Sequence, residues 1–521
     1  MKLFRPGFFQ KAFIAILLLI QFLLWIAFFV FVAIYTVFSP WAVLIIASLF
    51  VLNVITGLYI FNSSSPDAYK LSWMIAVFAL PLAVIIMYLA FANKQVRRKQ
   101  RKALDKWIRP LEDVPSDPKT LEALNYVEPN AVPIQKFIAT AKGGGIFERT
   151  SVTYFPLVDE AFPHLLEDLK KARHYIFIEV FILEYDGYFF TNVHDILLQK
   201  VKEGVDVRLI YDDMGSLKVA PSGYDKNLRK EGIKAYRFNR FRPVIDVRQN
   251  NRDHRKMVII DGHTAYTGGF NFADEYINKI TRFGHWKDNA IRLCGEAVFS
   301  MSMMFLDNWH TSFEKDSIID RDLYSPSKYI DEVGGFPLTS GFVQPFGDIP
   351  FDSQAVGQRV YLQLIQRARR YIYIMTPYLI IDKEIENALI AASKSGIDVR
   401  LITPHIPDKK TVFQLTRSHY GKLLLNGCKI YEYTPGFVHA KTCLIDDTMG
   451  VIGTINFDYR SLYLHLENGT LIVASPSLLD IKKDFEDTFA KSHELNYAEY
   501  NAFHEKRWLQ WALLRIIAPF L

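Results

Sequence analysis

Two stretches of the 521-residue chain carry the same five signals at the same spacing. From His254 the sequence reads HRKMVIIDGHTAYTGGFNF, and from His439 it reads HAKTCLIDDTMGVIGTINF. Each places a lysine two residues after the histidine (Lys256, Lys441), an aspartate seven after it (Asp261, Asp446), and then a glycine and an asparagine (Gly268 and Asn271; Gly453 and Asn456). A single HxK arises easily by chance, but a second copy agreeing at five positions over eighteen residues does not. These residue types suit exchange at a phosphodiester. A neutral imidazole can attack phosphorus while a protonated one delivers a proton to the leaving alkoxide. Lys256 and Lys441 supply positive charge, and Asn271 and Asn456 supply amide donors for the non-bridging oxygens. The set requires no metal and no cofactor.

Something must bring two such sets together, and the chain supplies it by repeating itself. ARHYIFIE from Ala172 returns as ARRYIYIM from Ala368, KEGVDVRLI from Lys202 as KSGIDVRLI from Lys394, and EGIKAY from Glu231 as NGCKIY from Asn426, at offsets of 192 to 196 residues, against 185 for the histidines. Offsets that drift by a few residues indicate one ancestral unit with loop insertions, not a short-period solenoid. Within the first copy the spacing predicts a helix over 159–171, a strand over 175–183, a helix over 189–202 and a strand over 205–211, an α/β alternation. Met257 to Ile260 and Thr442 to Ile445 are short apolar runs expected as strands, so histidine and lysine, two residues apart, face the same way. Asp261 and Asp446 follow those runs at odd spacing and are expected as turn and scaffold residues of the catalytic motif. Two homologous halves related by a pseudo-twofold axis would converge both sets on one cleft.

The first hundred residues explain why the chain is 50% hydrophobic. Ala12 to Phe38, Trp41 to Phe61 and Trp73 to Phe91 are apolar runs long enough to cross a hydrocarbon core of roughly 30 Å, the last with Pro81 inside it. No signal-peptide cleavage pattern accompanies them. Lys94, Arg97, Arg98, Lys99, Arg101 and Lys102 follow, and this denser basic cluster belongs on the cytoplasmic side whether the anchor has two or three spans. The net charge of +6 is too modest over this length for a uniformly basic nucleic-acid binder. Cys294, Cys428 and Cys443 form neither a disulfide framework nor a metal-ligand pattern and read as packed thiols. At the C-terminus Trp508, Trp511, Leu514 and Ile517 or Ala518 recur at helical spacing, which suits a helix lying on a bilayer or one packed on the body.

The paired motifs resemble the HxKx4Dx6GxN signature of the phospholipase D superfamily. Further stretches (LIYDDMGS from Leu209, HWKDNAIRLCG from His285, TPYLIID from Thr376, TINFDYRSLYLHLENG from Thr454) make the chain from about residue 60 onward similar to the bacterial cardiolipin synthases within it. The resemblance implies an α/β fold of tandem phospholipase D-like domains forming a pseudo-twofold body after N-terminal transmembrane helices. The expected segments are a membrane anchor over 1–93, a basic juxtamembrane linker over 94–149, the two domains over 150–330 and 331–502, and a C-terminal amphipathic helix over 503–521. It implies conversion of two phosphatidylglycerols to cardiolipin and glycerol through a phosphatidyl-histidine, with His254 as nucleophile and His439 as general acid and later base, although sequence symmetry alone does not rank them. Each histidine is implied to be oriented by a downstream carboxylate, Asp288 in HWKDN and Glu467 in HLENG. The partners implied are phosphatidylglycerol, cardiolipin and the cell membrane, not nucleic acid, with catalytic domains in the cytoplasm. The alternatives are a phospholipase D-type hydrolase and a silent binder of anionic lipid. The hydroxyl residue common after the motif glycine is Gly269 in one copy and Thr454 in the other, so no role is assigned there. His263, His285, His310, His419 and His465 are read as ordinary polar or packed histidines.

Overall fold

The computed structural model describes residues 40–63, 65–88, 116–141, 143–241, 247–312, 320–325, 339–350 and 354–520, with a few isolated positions besides. The apolar run over 12–38 and the basic cluster over 94–102 lie outside these residues, apart from isolated positions between 23 and 30. Two compact units are distinguished: one holds residues up to Lys94 together with 245–247 and Phe520, the other nearly everything else.

In the first unit, helix α1 (Pro40–Phe61) is followed by α2 (Asp67–Ala79) and α3 (Pro81–Met87). The 22 residues of α1 reach about 33 Å at ~1.5 Å per residue. Its stretch Val43–Phe61 is, among the described residues, the one helix long and apolar enough to cross a membrane. The run over Trp73–Phe91, expected as a further span, is instead interrupted. Leu80 leaves the helical region (φ −139°, ψ 70°) between α2 and α3, because Pro81 lacks an N–H and its ring crowds the residue before it. Ile60, Tyr69, Trp73, Val77, Val84, Ile85 and Tyr88 form a small apolar core within the unit.

The second unit is built on two sheets with one design. In the first half the strands are β1 (Thr150–Phe155), β2 (Tyr175–Val180), β3 (Asp206–Asp212), β4 (Lys234–Phe238), β5 (Met257–Ile260), β6 (Thr264–Gly268), β7 (His285–Lys287) and β8 (Ala290–Gly295). In the second they are β9 (Phe342–Asp348), β10 (Tyr371–Met375), β11 (Asp398–Pro404), β12 (Lys429–Tyr433), β13 (Gly436–Val438), β14 (Thr442–Ile445), β15 (Met449–Gly453), β16 (Glu467–Val473) and β17 (Ser492–Leu495). The first sheet runs β1-β8-β6-β5-β2-β3-β4, and the second runs β9-β16-β15-β14-β10-β11-β12 with β17 added at its edge. The strand orders therefore correspond one for one, as the internal repeat requires.

Helices α4 (Val158–Lys171) and α5 (Tyr188–Lys202) lie where the sequence places helices over 159–171 and 189–202; α6 (Val298–Ser312) closes the first half, and α7 (Val356–Arg367), α8 (Lys383–Lys394), α9 (Lys410–Leu425), α10 (Ser477–Ala490) and α11 (Tyr497–Ile517) follow in the second. Acidic Asp159 and Glu160 open α4 while Lys170 and Lys171 end it, matching the helix dipole at both ends. All six residues of β2 are buried, which is why its sequence is almost continuously apolar. One cluster draws on both halves: Phe177, Met257 and Ile291 share it with Met375, Leu444 and Ile472, joined by Met301, Met304 and Phe305 of α6 and by Phe485 of α10. The described part of the expected linker is also structured, with helices over Pro118–Val127 and Val132–Thr140 that bury Leu124, Ile134 and Ile138.

Candidate functional site

The register of two short ladders between the halves builds the site. Strand β7 of the first half pairs in parallel with β13 of the second, Gly436 opposite His285, Phe437 opposite Trp286 and Val438 opposite Lys287. One residue further, that register sets His439 beside Asp288. On the other side, Asp253 bridges Leu466 in parallel, with His254 N–H donating to the Leu466 carbonyl and Leu466 N–H to that of Arg252. One residue further, His254 stands beside Glu467.

The carboxylates are thus exchanged between halves. His254 Nδ1 donates to both oxygens of Glu467 at 2.9 Å, and His439 Nδ1 donates to Asp288 Oδ2 at 2.8 Å. Asp288 and Glu467 are fully buried and the histidines nearly so, at 7% and 8% exposed. With Nδ1 engaged, Nε2 of each ring is the nitrogen left for chemistry. The motif glycines permit the close approach. A Cβ on Gly268 would lie 2.3 Å from the Asn289 carbonyl oxygen, and one on Gly453 would lie 2.2 Å from that of Asn468. Asn289 and Asn468, next to the carboxylates, also cross: Asn289 Nδ2 donates to Thr442 Oγ1 and Asn468 Nδ2 to Thr267 Oγ1, both at 2.8 Å.

The lysines lie against their own histidines. Lys256 Nζ donates to the His254 carbonyl at 2.7 Å. Lys441 Nζ donates to the His439 carbonyl and lies 2.8 Å from His439 Nδ1; since Nδ1 gives its proton to Asp288, the carbonyl is the consistent acceptor. Burial is the first cause that brings Lys256 down to about 8 and Lys441 to about 7, against the pull of Glu467 and Asp288. Burial, then Lys441, lowers His439 to about 4. Burial, then Lys256, pushes His254 well below the ordinary histidine value, with Lys441 and His439 contributing, so both motifs share one electrostatic environment. Burial likewise raises Glu467 well above the usual carboxylate range.

The motif aspartates stand elsewhere. Asp261 accepts from the backbone N–H groups of Arg173, His174 and Tyr175, and Asp446 from those of Arg369, Arg370 and Tyr371. Both sit at positive φ, 50° and 55°, at the end of β5 or β14 remote from the histidine, about 20 Å along an extended chain. These two carboxylates hold backbone groups at strand ends, and neither contacts an imidazole among the described residues. Asn271 is also more engaged than expected, because its Oδ1 accepts from Ile182 N–H and its Nδ2 donates to the Tyr276 hydroxyl at 2.6 Å. The buried Oδ1 of Asn456 meets no donor among the described residues.

Three contributors were not assigned from the sequence. Thr454 gives its hydroxyl proton to Glu467, so the residue after the second motif glycine does have a task. Its counterpart Gly269 leaves no room, since a Cβ there would lie 2.0 Å from Asp288 Oδ1. His465 lies 5.5 Å from His254 between ring centroids, with Nδ1 3.6 Å from Glu467 and neither ring nitrogen hydrogen-bonded among the described residues. Its position two residues before Glu467, hence on the same side of an extended chain, is the signal that points to it. Arg252 holds Asp212 at 2.9 Å and anchors the segment entering the motif. Around His439 stand the rings of Tyr276, Trp286 and Phe437, at 5.3, 5.5 and 5.9 Å.

By distance alone His254, His465 and Glu467 could hold a metal, their ligand atoms lying within 4.8 Å of one another. The charges nearby argue for an anion instead, because Arg460, Lys256 and Arg252 all act on His465 and would oppose a dication. Two imidazoles on buried carboxylates, flanked by two lysine side chains, form a site able to take a phosphodiester, with one imidazole placed for attack on phosphorus and the other for proton delivery to the leaving oxygen.

Comparison with known proteins agrees with this geometry. The family profile described as "Cardiolipin synthase, PLD-like domain" matches residues 165–281 and 361–491, one segment in each half. A Streptococcus mutans protein described only as uncharacterized is 38% identical over 89% of this chain and 99% of its own length. Cardiolipin synthase 2 of Bacillus anthracis is 37% identical over 70% of this chain and 69% of its own, and the cardiolipin synthase of Alkalihalophilus pseudofirmus is 31% identical over 93% and 95%. Among solved structures, the phosphatidylserine synthase of Haemophilus influenzae matches with a TM-score of 0.55 at 15% identity, covering 71% of this chain and 95% of its own, a likeness of fold. With both motifs lying inside the matched segments and the identity extending over nearly the whole chain, the protein belongs to the cardiolipin synthase family of phospholipase D-like proteins.

Proposed function

We propose that this protein is a membrane-bound phosphatidyltransferase that makes cardiolipin and glycerol from two phosphatidylglycerols. The observation that carries the reading is the crossed pair His254–Glu467 and His439–Asp288, which equips one cleft with two oriented imidazoles. In this reading His254 Nε2 attacks phosphorus, the phosphorus–oxygen bond to the glycerol headgroup breaks, and His439 donates the proton that the departing glycerol needs. His439 then takes the proton from the primary hydroxyl of a second phosphatidylglycerol, whose oxygen displaces His254 to give cardiolipin. Burial holds His439 at about 4 in the free protein, so the arriving phosphodiester anion must help to charge it. Lys256 and Lys441 offset the phosphate charge.

The apolar α1 supports attachment to a membrane, and the expected multi-pass topology with a pseudo-twofold catalytic body in the cytoplasm belongs to the same reading. The test is product analysis. Purified protein given only phosphatidylglycerol in vesicles releases glycerol in step with cardiolipin, and His254→Ala and His439→Ala each stop it. Phosphatidate as the sole lipid product would make the protein a hydrolase, and no product with no labelled phosphohistidine would make it a silent lipid binder.

A further inference from the structure

Helix α11 (Tyr497–Ile517) is fixed at its start and on one face. Asn496 and Glu499 form a reciprocal capping box, Tyr500, Trp511 and Leu514 are buried, and Trp511 Nε1 donates to Gln414 Oε1 at 3.0 Å while Arg515 Nε donates to Ser418 Oγ at 3.1 Å, both on α9. Packing on the body therefore accounts for one stripe of the helix. It leaves the other apolar side chains facing outward: Trp508 is 59% exposed, Leu509 56%, Leu513 57% and Ile517 44%. These four fall within the last three turns, where Gln510 and Arg515 are the only polar residues, whereas Asn501, His504, Glu505, Lys506 and Arg507 crowd the turns before. A soluble surface rarely carries so many large apolar groups on so short a segment.

The chain that follows says what covers them. Three residues beyond the helix, Phe520 belongs to the apolar N-terminal unit, where its ring packs against Tyr69 at 4.9 Å and Trp73 at 5.6 Å between centroids. Phe520 thus ties the chain just beyond α11 to the unit that contains Val43–Phe61, a stretch long and apolar enough to cross a membrane. The polar N-terminal turns and apolar C-terminal turns of α11 give a helix that enters the boundary region at its far end. Lys506 and Arg507 flank the apolar stretch, in a position to meet anionic headgroups.

We propose that the outward face of α11, centred on Leu509 and Leu513, is a bilayer-contact surface that seats the second half of the catalytic body on a membrane rich in anionic phospholipid. The full-length chain tests this after single substitution to cysteine at Leu509 or Leu513, with Ser395, in an exposed loop after α8, as the reference position. The three native cysteines are buried, so a bimane reagent marks the introduced thiol. In phosphatidylglycerol-containing vesicles the labels at 509 and 513 show a blue shift and lose emission to doxyl-labelled lipid, while the label at 395 loses emission only to aqueous iodide. The pair Leu509→Gln and Leu513→Gln lowers turnover of vesicle-borne lipid by on the order of a hundredfold or more, the scale expected when two leucines stop being buried, and leaves turnover of monomeric short-chain phosphatidylglycerol unchanged. Iodide access at 509 and 513 in vesicles overturns the proposal. So does cross-linking of the Leu513→Cys chain to itself in place of quenching by lipid, which assigns the face to a second copy.

Discussion

His254 and His439 differ in what surrounds them, although their motifs match. Glu467 is held by Thr454 and approached by His465, whereas Asp288 has bare Gly269 at the equivalent place. Removing the charge from either carboxylate while keeping its shape therefore tests each imidazole separately. Glu467→Gln is expected to slow formation of the phosphatidyl-histidine in a single turnover with labelled phosphatidylglycerol. Asp288→Asn is expected to slow release of the natural glycerol group far more than release of p-nitrophenol, which leaves without a proton; each loss falls in the roughly 10²–10⁴-fold range of general acid–base effects. The lysines give a pH signature. Lys441 at about 7 and Lys256 at about 8 lose positive charge as the pH rises through those values. In consequence kcat/KM, which reports the free enzyme, falls above roughly pH 7–8, while kcat falls less because bound phosphate keeps the ammonium groups charged. Steady-state rates across that range check it, and Lys441→Arg is expected to shift the fall to higher pH.

At the scale of elements, the motif aspartates hold strand ends in place. Asp446 accepts three backbone N–H groups where β10 begins, and Asp261 does the same for β2. Asp446→Ala leaves those donors without their acceptor at the edge of the core, a loss on the order of 2–4 kcal/mol. The expected result is a lower Tm with kcat per folded molecule nearly unchanged, measured by thermal unfolding alongside active-site titration with labelled lipid. A catalytic role for the carboxylate predicts the reverse, a stable and inactive variant. The glycines act at the same scale: without the space at Gly268 and Gly453, the chains that carry Asp288 and Glu467 could not run so near.

Across the whole molecule, each half lacks the partner of its own histidine, and one apolar cluster passes through both sheets. The halves of the body are therefore expected to unfold together. Cys294 lies in the first half and Cys443 in the second, 6% and 0% exposed. Under increasing denaturant both are expected to become reactive to a thiol reagent at the same midpoint, read by mass spectrometry of the labelled peptides. Two separate midpoints would show halves that are stable on their own, contrary to the shared core.

The repeated HxKx4Dx6GxN text, with its spacing and its neighbouring strands, was legible in the sequence because those features are local. A strand's side-chain period, the helix spacing of α4 and α5, and the repeat offsets all follow from the order of residues along the chain. The carboxylates Asp288 and Glu467 could be named, but as downstream partners of the histidine in their own half, Asp288 for His254 and Glu467 for His439, and the structure exchanges them. That was decided by the parallel registers of β7 with β13 and of Asp253 with Leu466, contacts between segments about 150 and 213 residues apart. The same holds for α11, whose sequence allowed either a bilayer or the body as partner. Only the packed structure shows that one face of that helix is already taken and the other is not, because burial is a property of what lies opposite a side chain in space.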